Sequence, residues 1–255
     1  MSVTENQVAW EKEHEEAWHQ RFGEPKVYAE KIKKDPRQTL GSLNRVLPEC
    51  AGKSVLNLMG SNGNKAVALA LLGANVTVVD LSESNRNYAL ELAKASGVTI
   101  EYIVSDVLAY SPEATFDFAL AEMGILHYFL DLKPFFQMIY NALTPSGQCV
   151  LRDFHPVSTK LISSRGSTAK VRKHKVDGDY FDTSLTSKEV SYGKYLAEDE
   201  KVIVQLRQWT LGEIITAAAQ VGFIIETLIE EPNLSSDTYD KGIPKTFILK
   251  MRKPT

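Results

Sequence analysis

Runs of apolar residues recur along this chain with the spacing of buried strands and of amphipathic helices in alternation. Short apolar runs, typical of strands covered on both faces, occupy 55–59, 76–80, 100–104, 116–121 and 148–153. Apolar residues at helical spacing fill 65–72, 84–96 and 132–143. Strands that alternate with helices require right-handed crossovers and a parallel sheet, so the pattern predicts an α/β fold.

The C-terminal part extends this order by one helix and two strands. Thr210 and Glu213 have the spacing of a capping box and predict a helix over 211–221. The apolar runs 223–229 and 246–251 follow with no helical pattern between them, which predicts antiparallel neighbours joined by a loop. The chain is therefore expected to contribute seven strands to one sheet.

Two segments lie outside the alternation. The segment 1–47 has helical signals, because Thr4 and Gln7 have capping-box spacing and Asp35 stands as a capping acid before the first-turn residue Pro36. The main domain is then expected to span 48–255.

The second such segment is an insertion within that domain. Between 155 and 208 the alternation stops, and the segment contains glycines, short strand-like pieces and a basic run at 170–175. An insertion after the fifth strand starts at the carboxyl edge of the sheet, so we interpret 155–208 as a cap over a substrate site. A surface excursion or a dimer contact is the alternative.

Composition narrows the class of protein. A chain of 255 residues is long enough for one sizeable α/β domain. The net charge of −3 comes from interspersed acids and bases, so neither a nucleic-acid nor a membrane partner is expected. The first residues have no basic stretch followed by an apolar run, which predicts a cytoplasmic protein.

Cysteine and histidine spacing adds little chemistry to this picture. Cys50 and Cys149 are far apart and are interpreted as buried, reduced thiols. His14 and His19 are five residues apart, which places them on different faces of a helix, and no histidine–carboxylate motif recurs. No metal site is therefore expected, and metal-dependent catechol methylation through separated acids is the alternative.

The candidate chemistry lies where the predicted strands end. The first strand breaks into the small, polar turn NLMGSNG at 57–63 and passes directly into a helix, whose first N–H groups are free donors. The second strand ends in Asp80, about 20 residues on, where doubly wound folds place an acid that grips ribose. The third ends in Asp106. Three neighbouring strands thus deliver polar groups to one edge, which predicts a nucleotide-like ligand there.

These motifs together resemble the class I S-adenosylmethionine-dependent methyltransferases, over 40–156 and more loosely towards the C-terminus. The matching segments are the turn at 57–63, VTVVD ending at Asp80, IVSD ending at Asp106, FDFALAE at 116–122 and LTPSGQCVLRD at 143–153. The resemblance implies a Rossmann-like, seven-stranded, mostly parallel sheet with helices on both faces and an antiparallel last strand. It also implies S-adenosyl-L-methionine as the methyl donor.

The resemblance assigns roles to individual residues of this chain. Asp80 is expected to bind the ribose hydroxyls, Asp106 the adenine amino group, and the Val107 backbone a ring nitrogen. The full set of expected donor-binding residues is Asn57, Gly60, Ser61, Asn62, Gly63, Asp80, Leu81, Asp106, Val107 and Glu122. In this family the N-terminal segment, here 1–47, folds over the donor pocket. The residues that could line the pocket from this segment are Trp18, Arg21, Phe22 and Tyr28. The alternative is that these side chains only pack the helices on the domain.

The turn departs from the family pattern at three positions. Asn57 stands where the family carries an acid; its amide oxygen still accepts a hydrogen bond from an ammonium group, but without charge. Met59 and Ser61 stand where the family carries glycine, so a slightly wider turn is expected. Gly63 keeps the last small position.

A methyl transfer needs alignment and exclusion of water, and a general base only where the acceptor carries a proton. Candidate bases are His155, which we favour because it stands at the mouth of the cap, His127 and Asp153. The alternative for His155 is that it orders the loop before Pro156.

The sequence leaves three functions open. We favour a methyltransferase that acts on an O, N or C atom of a small molecule and is a monomer or homodimer. An NAD(P)-dependent Rossmann oxidoreductase is one alternative, although Gly60 and Gly63 do not give the Gly-x-Gly-x-x-Gly spacing of a pyrophosphate turn. A non-catalytic S-adenosylmethionine-binding protein is the other.

Overall fold

The computed structural model describes residues 14–165, 173–189, 203–232 and 242–255. Within these ranges no helix has the length and apolarity needed to cross a membrane. The predicted capping box at Thr4 and Gln7 lies outside the described residues, as do parts of the predicted cap.

Seven strands form one sheet. They are β1 (Ser54–Leu58), β2 (Asn75–Asp80), β3 (Glu101–Val104), β4 (Phe116–Glu122), β5 (Leu143–Phe154), β10 (Ile224–Glu231) and β11 (Thr246–Arg252). Their order across the sheet is β3-β2-β1-β4-β5-β11-β10. The first five are parallel, and β11 lies antiparallel between β5 and β10. The predicted Rossmann-like methyltransferase topology with a reversed last strand is confirmed.

Helices cover both faces of this sheet. They are α1 (His14–Phe22), α2 (Pro25–Lys34), α3 (Pro36–Leu40), α4 (Asn64–Leu71), α5 (Glu83–Ser96), α6 (Lys133–Ala142) and α7 (Leu211–Gln220). The side chain of Asp35 accepts a hydrogen bond from the Gln38 N–H, and Thr210 and Glu213 form the predicted capping box. Both predicted caps are confirmed.

Two apolar layers hold the helices on the sheet. Buried side chains of α2, α4 and α5, among them Ile32, Leu69 and Leu92, form one layer. Phe135 and Phe136 of α6 and apolar residues of α7 form the other. The two cysteines are free and buried, as predicted, and burial raises the pKa of the Cys149 thiol to about 12.

The N-terminal helices pack on the outer side of α4 and α5. The Trp18 indole N–H donates to Asn85 Oδ1 at 2.8 Å, and the Tyr88 hydroxyl donates to the Gly23 carbonyl at 2.9 Å. The Asn64 amide donates to the Tyr28 hydroxyl at 3.2 Å. These contacts fix the N-terminal segment against the helices that begin at the glycine turn and after Asp80.

The insertion after β5 forms two β-hairpins in its described parts. A short helical turn, Val157–Leu161, leads into β6 (Ile162–Arg165) paired with β7 (Lys173–Val176), and β8 (Leu185–Glu189) pairs with β9 (Ile203–Arg207). The basic run at 170–175 falls partly outside the described residues, and it extends into β7.

Candidate functional site

A cleft opens at the carboxyl ends of β1 to β4, the edge where open α/β sheets bind ligands. It encloses about 220 Å³. Of the expected donor-binding residues, the structure brings to the cleft Ser61, Asp80, Leu81, Asp106, Val107 and Glu122. Apolar side chains make up much of the remaining wall, among them Met59, Leu108, Met123, Ile125 and Phe129.

Asp80 is the most firmly held carboxylate of the cleft. Its Oδ2 accepts from the Ser61 N–H at 2.9 Å, and its Oδ1 accepts from the Ser82 N–H at 3.0 Å and from Asn85 Nδ2 at 3.1 Å. Burial raises its pKa, and these hydrogen bonds oppose the rise. The Leu81 backbone N–H also bonds this carboxylate, so four donors fix Asp80 at the cleft wall.

Asn85 is a site residue that the sequence analysis missed. It lines the cleft, donates to Asp80 and accepts from Trp18. The Trp18 N–H fixes the carbonyl oxygen of the Asn85 amide, which turns its NH₂ group towards Asp80. Asn85 lies in the first turn of the helix after Asp80, but no motif distinguishes it from an ordinary helical asparagine.

Asp106 and Val107 form the neighbouring wall at the end of β3. Asp106 Oδ1 accepts from the Leu108 N–H at 2.9 Å and so orders its own turn. Within the described residues, Asp106 Oδ2 accepts no hydrogen bond, so this oxygen is available to a ligand. Val107 is buried and lines the cleft.

The turn after β1 keeps a glycine-like backbone without glycine at two positions. Met59 has φ of 49° and Ser61 has φ of 51°, in the left-handed region that disfavours residues with a Cβ atom. The Ser61 N–H donates to Asp80, and its carbonyl accepts from the Tyr102 hydroxyl at 2.8 Å. A slightly wider turn was expected here. Instead the turn keeps the backbone that glycine would adopt, and the side chains of Asp80 and Tyr102 hold Ser61 in it.

The two glycines of the turn serve close packing. A Cβ atom on Gly60 would lie 2.6 Å from Val78 Cγ1, and one on Gly63 would lie 2.5 Å from Ala89 Cβ. Gly63 also has φ of 73°. Neither is part of the cleft wall, so their contribution to a donor site is to let the turn lie close to the sheet and to α5.

The two asparagines of the turn are buried beneath it. Asn57 Nδ2 donates to the Leu120 carbonyl at 3.3 Å, and Asn57 Oδ1 has no partner among the described residues. Asn62 Oδ1 accepts from the Asn64 N–H at 3.3 Å. Neither side chain lines the cleft.

Glu122 ends β4 and lines the cleft at its β1 side. Its Oε1 lies 3.1 Å from Arg152 Nη1 and its Oε2 lies 3.5 Å from Lys65 Nζ. Arg152 also pairs with the buried Glu231 at 3.1 Å, which in turn pairs with Arg45. This network holds the Glu122 carboxylate in one position at the wall.

Asp153, one of the predicted bases, is occupied by the backbone. Its two oxygens accept from the N–H groups of Gly124, Ile125, Leu126 and Phe154, at 2.6 to 3.1 Å. These four bonds use the acceptor positions of the carboxylate. Asp153 therefore orders the loop after β4, which lines the cleft, and is not itself part of the wall.

His155 is also placed away from the cleft. It is 2% exposed, its Nδ1 accepts from the Val157 N–H at 3.1 Å, and its Nε2 lies 2.7 Å from Glu230 Oε1. Burial lowers its pKa, and Glu230 opposes that shift. The arrangement corresponds to the alternative interpretation, in which His155 orders the loop at the start of the cap.

His127 is the candidate base nearest the cleft. It lies in the helical turn Leu126–Tyr128, with its ring centroid 4.5 Å from that of Tyr128, a residue of the wall.

The N-terminal candidates for the lining, Trp18, Arg21, Phe22 and Tyr28, do not line the cleft. Phe22 stacks on Tyr28 with centroids 5.0 Å apart, as the packing alternative expects.

The end of the insertion after β5 borders the same loop after β4. The Arg207 guanidinium donates to the Leu130 carbonyl at 2.9 Å, and the Trp209 indole N–H donates to the Leu126 carbonyl at 3.0 Å. The end of β9 is thereby fixed to the segment that carries His127 and Tyr128.

Comparisons with known proteins agree with this arrangement. Residues 55–147 match the family model described as methyltransferase domain. Over 97 residues the chain is 36% identical to a ubiquinone biosynthesis O-methyltransferase from Methylocella silvestris. That match covers 38% of this chain and 38% of the curated relative.

Solved structures share the fold over most of the chain. One is a putative S-adenosylmethionine-dependent methyltransferase from Listeria monocytogenes, with a TM-score of 0.68 at 23% identity over 86% of this chain and 99% of that one. Another is the glycopeptide N-methyltransferase MtfA in complex with S-adenosyl-L-methionine, with a TM-score of 0.55 at 14% identity over 87% and 94% of the two chains. The similarity at this identity is one of fold.

Proposed function

We propose that this chain, which carries a class I S-adenosylmethionine-dependent methyltransferase domain, transfers a methyl group from S-adenosyl-L-methionine to an O, N or C atom of a small molecule. The observation that carries the proposal is that Asp80 and Asp106, which lie at or just after the ends of the adjacent strands β2 and β3, line the same cleft. The domain match favours this function over an NAD(P)-dependent oxidoreductase. A cytoplasmic location and a monomeric or homodimeric state stay predictions of the sequence.

The cleft residues fit the adenosine part of the donor. Asp80 lies at the strand end where this fold binds ribose hydroxyls, and Asp106 keeps its Oδ2 for an adenine amino group. Leu81 and Val107 supply apolar surface for a purine ring at the same wall. These four residues would hold the adenosine, and the Glu122 side of the cleft is left for the amino-acid end.

The work of this chain in the reaction is alignment and exclusion of water. When bound, S-adenosyl-L-methionine supplies an electrophilic methyl group on a sulfonium. Met123, Ile125 and Phe129 present apolar surface to the cleft, and Asp153 holds their loop by its backbone. For an acceptor that carries a proton, we favour His127 as the general base, because it lies in the cleft loop beside Tyr128, whereas Asp153 and His155 are engaged elsewhere.

Calorimetric titration of the purified chain tests the proposal. We expect S-adenosylhomocysteine to bind and NAD not to bind. A panel of phenol, amine and carbon-acid acceptors with isotopically labelled donor then tests transfer. Binding of NAD alone would indicate the oxidoreductase, and donor binding without transfer to any member of the panel would favour the non-catalytic binding protein.

A further inference from the structure

Phe154 is a large apolar side chain that the proposed donor site does not use. It is 39% exposed, and it does not line the cleft. Phe154 is the last residue of β5, whose parallel neighbour β4 ends at Glu122, opposite Arg152. The ring therefore lies at the same edge of the sheet as the cleft, just beyond the end of β4.

Gly124 brings this ring to the border of the cleft, because Gly124 itself lines the cleft. A Cβ atom on Gly124 would lie 3.3 Å from Phe154 Cε2 and 3.5 Å from His127 Cε1. These are contact distances between carbon atoms, so the rings of Phe154 and His127 border one small space above Gly124. Glycine has no side chain, and it leaves this space beside the cleft unfilled.

Tyr128 extends the aromatic surface. Its ring centroid lies 4.5 Å from that of His127, and Tyr128 lines the cleft. Phe154, His127 and Tyr128, here called the aromatic cluster, thus connect the end of β5 with the cleft wall. Aromatic side chains with a few polar groups among them are the typical lining of a small-molecule site.

The backbone holds the cluster in place. Asp153 Oδ1 accepts from the Gly124 N–H at 2.6 Å and from the Phe154 N–H at 2.7 Å. One carboxylate oxygen therefore ties β5 to the loop after β4 where the rings of Phe154 and His127 meet. Met123, with φ of 61°, has the left-handed backbone that disfavours a residue with a Cβ atom, and strain of this kind is concentrated at ligand sites.

The charges around the cluster favour a neutral aromatic ligand. Aromatic faces attract both aromatic rings and cations, but a cation also needs a counter-charge from a nearby carboxylate. Glu122 is already paired with Arg152 and Lys65. Asp153 is filled by backbone N–H groups. An aromatic ring packs against the edges and faces of other rings without a counter-charge.

His127 adds a functional group to this surface. Its imidazole is the base favoured above, and imidazoles titrate near neutral pH. With a ring hydroxyl beside it, the hydroxyl proton passes to His127 while the oxygen bonds to the methyl carbon, and the carbon–sulfur bond breaks with its electron pair left on sulfur. An aromatic hydroxyl is acidic enough to give up its proton in this way, as tyrosine shows, whereas an aliphatic hydroxyl holds it far more tightly.

We propose that the aromatic cluster is the acceptor subsite, that its ligand is a planar aromatic compound with a ring hydroxyl, and that Phe154 determines this preference. The proposal rests on the proposed function and narrows its acceptor from an O, N or C atom to a phenolic oxygen.

Three probes test the acceptor class on the protein saturated with S-adenosylhomocysteine. 2-Naphthol has the flat ring and the hydroxyl, decahydro-2-naphthol has the same carbon skeleton without aromaticity, and cyclohexylamine is a cation. We would measure their dissociation constants by calorimetry for the wild type, Phe154→Leu and Phe154→Ala. Ile224→Ala is the control, since Ile224 is an exposed apolar residue that pairs with Arg252 at the opposite end of the sheet.

We expect the wild type to bind 2-naphthol about threefold or more tightly than decahydro-2-naphthol, the effect of aromatic packing. Phe154→Leu should weaken 2-naphthol about threefold and leave decahydro-2-naphthol within about twofold, because leucine keeps an apolar surface. Phe154→Ala should weaken both, and Ile224→Ala neither. The affinity for S-adenosylhomocysteine should be unchanged in every variant.

If S-adenosylhomocysteine binds, the acceptor proposal is overturned by equal affinities for the two alcohols, by no binding of 2-naphthol, or by no effect of Phe154→Leu. Tighter binding of cyclohexylamine than of 2-naphthol would overturn it in favour of a cationic acceptor. Weaker S-adenosylhomocysteine binding by Phe154→Leu would place Phe154 in the donor site and overturn it too. Absence of S-adenosylhomocysteine binding to the wild type would instead count against the proposed function.

Discussion

Individual residues of the glycine turn show where sequence reasoning succeeded and where it stopped. Asp80 and Asp106 were predicted from strand ends, and both line the cleft. Met59 and Ser61 were expected to widen the turn, yet they adopt the backbone that glycine would. The sequence does not show this, because the conformation is imposed by the Asp80 and Tyr102 contacts of Ser61, which come from other strands.

The strained backbone of Ser61 leads to a prediction about stability. Glycine removes a left-handed penalty of about 1–2 kcal/mol per residue and costs about 0.5–1 kcal/mol in unfolded-state entropy, so Ser61→Gly should raise the free energy of unfolding by about 0.5–1 kcal/mol. Urea unfolding measures it. Ser105→Gly, at a residue of the same cleft that does not have positive φ, should lower stability. A Ser61→Gly protein less stable than the wild type would contradict the expectation.

Asp80 supports a prediction about binding. Loss of its carboxylate removes a charged acceptor, worth about 1.5–3 kcal/mol per hydrogen bond, so Asp80→Ala should weaken S-adenosylhomocysteine at least about tenfold. The affinity for 5′-methylthioadenosine should fall in parallel, because both ligands carry the ribose. If the dissociation constant stayed within about threefold, Asp80 would not be the ribose ligand.

At the scale of elements, helix α1 acts on the cleft through one hydrogen-bonded path. Trp18 donates to Asn85, which donates to Asp80. The aromatic residues of this segment were candidates for the pocket lining, with simple packing as the alternative, and one of them, Trp18, orients a residue that lines the cleft. Sequence spacing could not show this, since 67 positions separate Trp18 from Asn85.

Trp18→Phe tests that path. The ring is kept while the indole N–H is lost, so the Asn85 amide is free to rotate away from Asp80. We expect donor-analogue affinity to fall by about threefold to tenfold, about the worth of one neutral hydrogen bond. Tyr28→Phe removes a hydrogen bond of the neighbouring helix α2 that does not reach Asp80 and is the control. Equal affinities for both variants and the wild type would exclude the path.

The loop after β4 depends on Asp153 in the same way. An amide at this position offers one acceptor oxygen in place of two, so Asp153→Asn should leave one of the two pairs of N–H groups, Gly124 with Phe154 or Ile125 with Leu126, unsatisfied and lower stability by about 1–3 kcal/mol. Chemical denaturation measures this. Abolished turnover with unchanged stability would instead restore Asp153 as a base, whereas a retained pH profile of kcat/KM agrees with the loop role.

Across the whole molecule, the alternation of strands and helices was sufficient to predict the sheet, because a parallel sheet buried on both faces leaves a clear apolar pattern. It was not sufficient for the cap, whose described hairpins β6–β7 and β8–β9 carry weak alternation. The role of His155, at the junction where β5 ends and the insertion begins, was also predicted wrongly from its position in the sequence. His155 stands at the end of β5 in sequence, but its contacts come from β10 and from the approach to β11.

The buried His155 at this junction should make the stability of the protein depend on pH. His155 is 2% exposed, and burial lowers its pKa below the ordinary value of about 6.5. Between these two values the unfolded chain binds more protons than the folded one, so the contribution of His155 is present above about pH 6.5 and is lost as the pH falls through the folded pKa. The slope cannot exceed about 1.4 kcal/mol per pH unit for one group.

The variant His155→Asn isolates this contribution. Its Oδ1 can accept the Val157 N–H in place of Nδ1, so the loop keeps its hydrogen bond while the titrating ring is removed. The difference in unfolding free energy between wild type and variant should shrink as the pH is lowered from 7.5 to 5. A difference that is constant over this range would mean that His155 binds its proton equally well in the folded and unfolded chains, and that burial at the junction is offset by Glu230.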